Sequence, residues 1–91
     1  MKQLPTNISP YKQTPVFSEE TLPSGLLTSH QTKENTWGKI VVLEGELLYR
    51  ILEPELEEVY LSPAVYGVVE PQVIHQVQLL GQVRFYVEFY R

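Results

Sequence analysis

No cysteine and no aspartate occur anywhere in the 91 residues, and histidine occurs only twice. The first absence removes a disulfide framework and any thiolate metal centre. The second removes a Ser/His/Asp triad. Positive charge is also scarce: seven Lys and Arg stand against eleven Glu, for a net charge of −4 and a pI near 5.1. No basic run is longer than a residue or two, so a phosphate-tracking surface is not expected and nucleic acid drops out as a partner. Apolar runs stay far below the roughly 20 residues that cross a bilayer as a helix. The opening Met1-Lys2-Gln3-Leu4-Pro5 has no signal-peptide core. No membrane partner and a cytoplasmic location are the matching expectations.

The hydrophobic share is 43% and the charged share 20%, a globular mixture for one domain. Pro5 and Pro10 among polar residues make 1–14 an extended N-terminal arm, leaving 15–91 as the folded domain. Pro15-Val16-Phe17 reads as a short edge segment, and Ser18-Glu19-Glu20-Thr21 as a capped turn that Pro23 and Gly25 keep from growing. From Gly25 onward the hydrophobic period is two. Strands are expected over Gly25–Thr32, Trp37–Leu43, Leu47–Leu52, Glu58–Leu61, Gly67–Glu70, Val73–Leu79 and Val83–Tyr90. Glu44-Gly45-Glu46 reads as a hairpin turn joining the second and third of these, and Gly81 as the last turn before Val83. No amphipathic helix is visible. The class is all-β, a sandwich or barrel.

Candidate chemistry rests on few residues. His30 and His75 both fall in expected strands, one early and one late, and facing strands can bring them together. Two imidazoles and one carboxylate suit Zn, Fe, Mn or Ni. Glu88, a charge inside Phe85-Tyr86-Val87-Glu88-Phe89-Tyr90, is the first carboxylate candidate, with Glu70 and Glu44 behind it. Against that stand an ion pair of Glu88 with Arg50, Arg84 or Arg91 or its simple exposure on the outer face, and histidines that are ordinary satisfied or surface side chains. Trp37, Tyr49 and Tyr86, with Tyr66 and Tyr90, can line an amphipathic small-molecule pocket or simply form the core. The apolar stretch Val83–Tyr90 is also suited to pairing across a two-fold axis, so a homodimer is expected.

A resemblance spans nearly the whole chain beyond its first ten residues. Thr14-Pro15-Val16-Phe17, then Thr21-x-Pro23-x-Gly25-Leu26-Leu27-x-x-His30-x-Thr32-Lys33, resembles the TehB/YeaR-like domain family. So do Trp37-Gly38-x-Ile40-Val41-Val42-Leu43-Glu44-Gly45-x-Leu47-x-Tyr49, Val69-Glu70-Pro71-Gln72-x-x-His75 and Phe85 to Tyr90. That family is tellurite-resistance-related and similar to cupins, and in some members the domain accompanies a methyltransferase. The resemblance implies a cupin-like double-stranded β-helix, a jelly-roll barrel. Aligned on Gly45, His30 matches the first cupin histidine and His75 that of the second motif, with Pro71 nearby. Thr32 falls at the second histidine, and the cupin glutamate falls at about Trp37 or Gly38, so two of four ligands are present. The implied function is a small binding or sensing module able to hold a divalent metal. The alternative is a metal-dependent enzyme, dioxygenase- or isomerase-like, on a two-histidine site. No methyltransferase segment is recognised, so the resemblance implies nothing about methyl transfer here.

Overall fold

The computed structural model describes residues 1–22 and 31–91. Among these lie six strands: β1 (Pro10–Gln13), β2 (Phe17–Ser18), β3 (Trp37–Ile51), β4 (Glu57–Leu61), β5 (Gly67–Val69) and β6 (His75–Tyr90). Every pairing is antiparallel. The order is β1-β6-β3-β4, with β2 added to β6 and β5 to β3. The protein is all-β, as its period-two patterning requires. The described strands form one sheet that does not close on itself. The strand expected over Gly25–Thr32 lies largely outside the described residues.

Its spine is the β3–β6 ladder, which runs from Trp37↔Tyr90 to Ile51↔His75. Two turns were expected along this ladder, at Gly45 and at Gly81, and neither forms. Both strands pass straight through their glycines, at φ +79° and +84°, and the register shifts there. These are β-bulges that bend a long ribbon, not hairpin turns. Leu47 to Ile51 pair with β6 and β4, not with the preceding half of β3. The bulge also switches the face that β3 buries. Gly38, Ile40 and Val42 point inward before it, Leu47, Tyr49 and Ile51 after it.

The core gathers both halves. Tyr49, Phe85, Leu47, Leu61 and Val83 are fully buried, with Ile40, Val42, Val69 and Val77 around them. Each such side chain contributes roughly 1.5–3 kcal/mol of transfer free energy. The Tyr49 hydroxyl donates to the Val68 carbonyl at 3.1 Å, so its polar end is satisfied. Burial pushes that phenol's pKa up, with smaller contributions from Glu70 and Glu57.

Residues 10–18 strap the outer edge of β6. Thr14 donates its amide to the Val87 carbonyl at 2.9 Å, and its hydroxyl accepts from the Val87 amide at 3.0 Å. The expected capped turn follows: the Ser18 hydroxyl accepts from the Glu20 amide, and the Ser18 amide donates to the Thr21 hydroxyl. This turn aims Glu19 at the bend of β6, where its carboxylate accepts from the Val83 amide at 3.1 Å. Hydrogen bonds from its own amide and from that of Val83 hold the Glu19 carboxyl below its usual range.

Candidate functional site

A cavity of about 480 Å³ opens between the sheet and the strap. β3 supplies Gly38 and Ile40 to its floor, and β5 supplies Val69. β6 contributes His75, Val77, Phe85, Val87 and Phe89. Alternation accounts for this set, because every inward residue of β6 here has an odd number. Tyr11, Lys12, Thr14 and Phe17 of the strap form one wall, and the rim is Gln31, Thr32, Lys33 and Thr36. Phe17 packs on Phe85 with ring centroids 5.7 Å apart. Backbones pack closely at the floor, where a Cβ on Gly38 would lie 3.2 Å from that of Val69. The rim is pinned by Thr32, whose hydroxyl lies 2.9 Å from the Thr36 carbonyl and 3.3 Å from that of Glu70, and accepts from the Gln72 amide at 3.3 Å. The result is an apolar pocket with a polar rim, the usual form of a small-molecule site.

The expected site residues divide between the two faces of the sheet. His75 is 3% exposed, lines the cavity and has its Nδ1 2.9 Å from the Val73 carbonyl. His30 lies outside the described residues. Glu88 sits between Val87 and Phe89, both of which line the cavity, and so faces the opposite side of the sheet. There it accepts a 2.6 Å hydrogen bond from the Tyr90 hydroxyl. That bond, with burial second, pushes the Tyr90 phenol up to about 12. Trp37 and Tyr86, half-buried, are on the same outer face. Tyr49 is core beneath the cavity, its ring 5.8 Å from that of His75. None of Trp37, Tyr49 and Tyr86 lines the cavity.

Comparison with known proteins decides the family. Residues 12–87 match the TehB-like domain. The chain belongs to the TehB-like domain family. Two curated relatives from Haemophilus influenzae strains, each named "Probable S-adenosyl-L-methionine-dependent methyltransferase TehB", are 38% and 36% identical to it over 75 residues. The match takes in 78% of this chain but 26% of each relative, so the chain spans about a quarter of their length. The crystal structure of TehB from Haemophilus influenzae superposes with a TM-score of 0.84 at 33% identity, over 93% of this chain and 32% of that one. A crystal structure of a protein from E. coli strain K12 shares the fold at a TM-score of 0.90 and 20% identity, over 100% of this chain and 97% of that one.

For this TehB-like domain the functional expectation is corrected. A cupin-like, metal-holding binding or sensing module gives way to a relative of methyltransferases, and with it goes the expected divalent-metal cofactor. The geometry agrees: no group of three His, Cys, Asp or Glu that could hold a metal occurs among the described residues, and Glu88 and His75 are on opposite faces. The expected pairing strand is corrected as well, because Val83–Tyr90 is interior, with β3 on one side and β1 and β2 on the other. No described helix is long and apolar enough to cross a membrane. The cavity residues of the TehB-like domain were visible in the sequence only as the odd-numbered face of the last strand. The strap residues Tyr11, Lys12 and Thr14 carried no such signal, since pairing of a short polar segment with a distant strand leaves no period.

Proposed function

We propose that the chain serves S-adenosyl-L-methionine-dependent methyl transfer as a substrate-holding segment. Its cavity takes the small molecule to be methylated, while the cofactor sits in the catalytic portion of the whole protein. The observation that carries this is the 38% identity over 75 residues to a protein named a probable methyltransferase, beside a family match over residues 12–87 that takes in most of the cavity's strap and floor.

The residues of the cavity do not fit the cofactor itself. S-adenosyl-L-methionine presents a sulfonium and an ammonium, and a ribose diol that calls for a carboxylate. Among the described residues the lining contains two lysines and no carboxylate. Dinucleotide and related cofactors are taken at the crossover of parallel α/β sheets, and this sheet is antiparallel throughout. No methyl-transfer step is therefore assigned to these residues.

A cytoplasmic location and pairing of two copies belong to the same reading. The exposed Leu56, Tyr60, Val65 and Tyr66 supply the apolar side chains for that contact.

The test is a chimera of the Haemophilus TehB protein in which the matching segment is replaced by this chain, compared with one from which the segment is deleted. Both receive methyl-labelled S-adenosyl-L-methionine and a small-molecule cell extract. The chimera is expected to transfer label and the deletion to lose most of it. Equal transfer by both, or micromolar binding of S-adenosyl-L-methionine by this chain alone, overturns the reading.

A further inference from the structure

Charge distribution narrows what the cavity takes. Five of the seven Lys and Arg side chains have partners. Lys2 pairs with Glu70 at 3.1 Å, Arg50 with Glu58 at 2.7 Å and Arg84 with Glu44 at 3.4 Å. Lys39 lies 4.6 Å over the Tyr66 ring and Arg91 4.1 Å over that of Tyr11. Among the described residues the two that remain without such a partner are Lys12 and Lys33, and both line the cavity. In a chain of net charge −4, carboxylates are abundant. Two cations left unpaired at one mouth, with no carboxylate among the lining residues, are a local reversal of the molecule's sign.

Lys12 stands on the strap and Lys33 on the rim, while the interior is the apolar set Phe17, Ile40, Val77 and Phe85 together with the buried His75. Thr36, half-buried on the same rim, makes no side-chain hydrogen bond among the described residues and adds a hydroxyl donor. Free inorganic anions would gain from the lysines but nothing from the apolar walls. Neutral apolar molecules would fill the interior and leave the lysines and the threonine hydroxyl unused. We infer that the cavity selects an organic anion: an aromatic or branched apolar body carrying one carboxylate or comparable acidic headgroup, the body on the β6 floor and the headgroup between Lys12 and Lys33. The selection rests on the cavity being a small-molecule site, as proposed above. It stands or falls separately from the chimera, because it is read from binding and not from label transfer.

The experiment uses three probes of one shape on the full chain: phenylacetate, phenylacetamide and phenethylammonium. Backbone amide shifts of Gly38, Ile40 and Val77 are followed at low ionic strength. Phenylacetate is expected to move these amides with an affinity about tenfold above the amide and to lose that advantage in high salt, with the ammonium weakest. The K12Q/K33Q double variant, altered only at exposed side chains, is expected to bind phenylacetate and phenylacetamide alike, with the amide's affinity unchanged. Equal affinities in the parent chain, no shift of these amides by any probe, or a double variant that keeps the preference would each overturn the inference. So would inorganic phosphate displacing phenylacetate at equal concentration.

Discussion

Gly45 and Gly81 have nearly the same backbone conformation, φ +79° and +84°, in surroundings that could hardly differ more. Replacing each with alanine separates conformational strain from steric exclusion. An L-residue in the left-handed region costs about 1–2 kcal/mol. Alanine recovers about 0.4–1 kcal/mol by restricting the unfolded chain. A Cβ on Gly81 meets nothing within 4 Å, so Gly81→Ala is expected to cost only the difference, about 1 kcal/mol. A Cβ on Gly45 would lie 2.2 Å from the Gln82 carbonyl oxygen and 3.1 Å from the Val83 Cα. Both obstacles are backbone in the facing strand, and no rotamer change moves them. The ladder must open at the bend, adding an overpacking cost of about 1–3 kcal/mol. Gly45→Ala is therefore expected to lose about 3 kcal/mol in all, or roughly 12–24 °C in Tm for a domain of this size. Urea unfolding of the three proteins, with slopes held in common, measures both values. Losses within 0.5 kcal/mol of each other would show that the close approach at Gly45 does not govern the bend.

Tyr49→Phe should cost about 1 kcal/mol by removing a buried donor from the Val68 carbonyl, seen as a lower urea midpoint with an unchanged slope. Thr14→Val removes the acceptor for the Val87 amide; an expected loss of about 1 kcal/mol should appear as faster hydrogen exchange at Val87 with little change in the β3–β4 amides. Glu19 has a folded-state pKa below its ordinary 4.5, so its contribution is present above that pH and fades as pH falls through the lower folded value. Glu19→Gln should flatten that acid limb of the stability profile, and an unchanged profile would show that the contact with Val83 carries no linkage.

Alternation made most strands legible in the sequence. Glu57–Leu61 and Gly67–Val69 fall within one residue of the expected spans, and the expected Ser18–Thr21 turn forms. The two glycines misled because a lone glycine between apolar segments has the same local signature in a turn and in a bulge. What separates them is whether the facing strand is the neighbour in sequence or one some 40 residues away, and local pattern carries no such information. The parity switch from Val42 to Leu47 was the available sign of a bulge: five residues separate two inward positions, where an unbroken strand allows only even steps. For the site, His75 was legible as a buried polar residue on an apolar face. Glu88 was not, because its cost of burial is met by Tyr90 two residues on. Of the aromatic residues read as pocket lining or core, Tyr49 is core, while the pocket takes Phe17, Phe85 and Phe89 and leaves Trp37 and Tyr86 outside.

That parity switch gives the long ribbon something like a reading frame. Deleting one residue from 43–46 would put Gly38, Ile40 and Val42 out of phase with Leu47, Tyr49 and Ile51, so one half of β3 would have to present its polar side to the core. Insertions at 53–56, an exposed connection between β3 and β4, meet no such phase constraint and carry only a slowly growing loop-closure cost. Length variation in chains of this shape is thus permitted at the connections and forbidden at the bend.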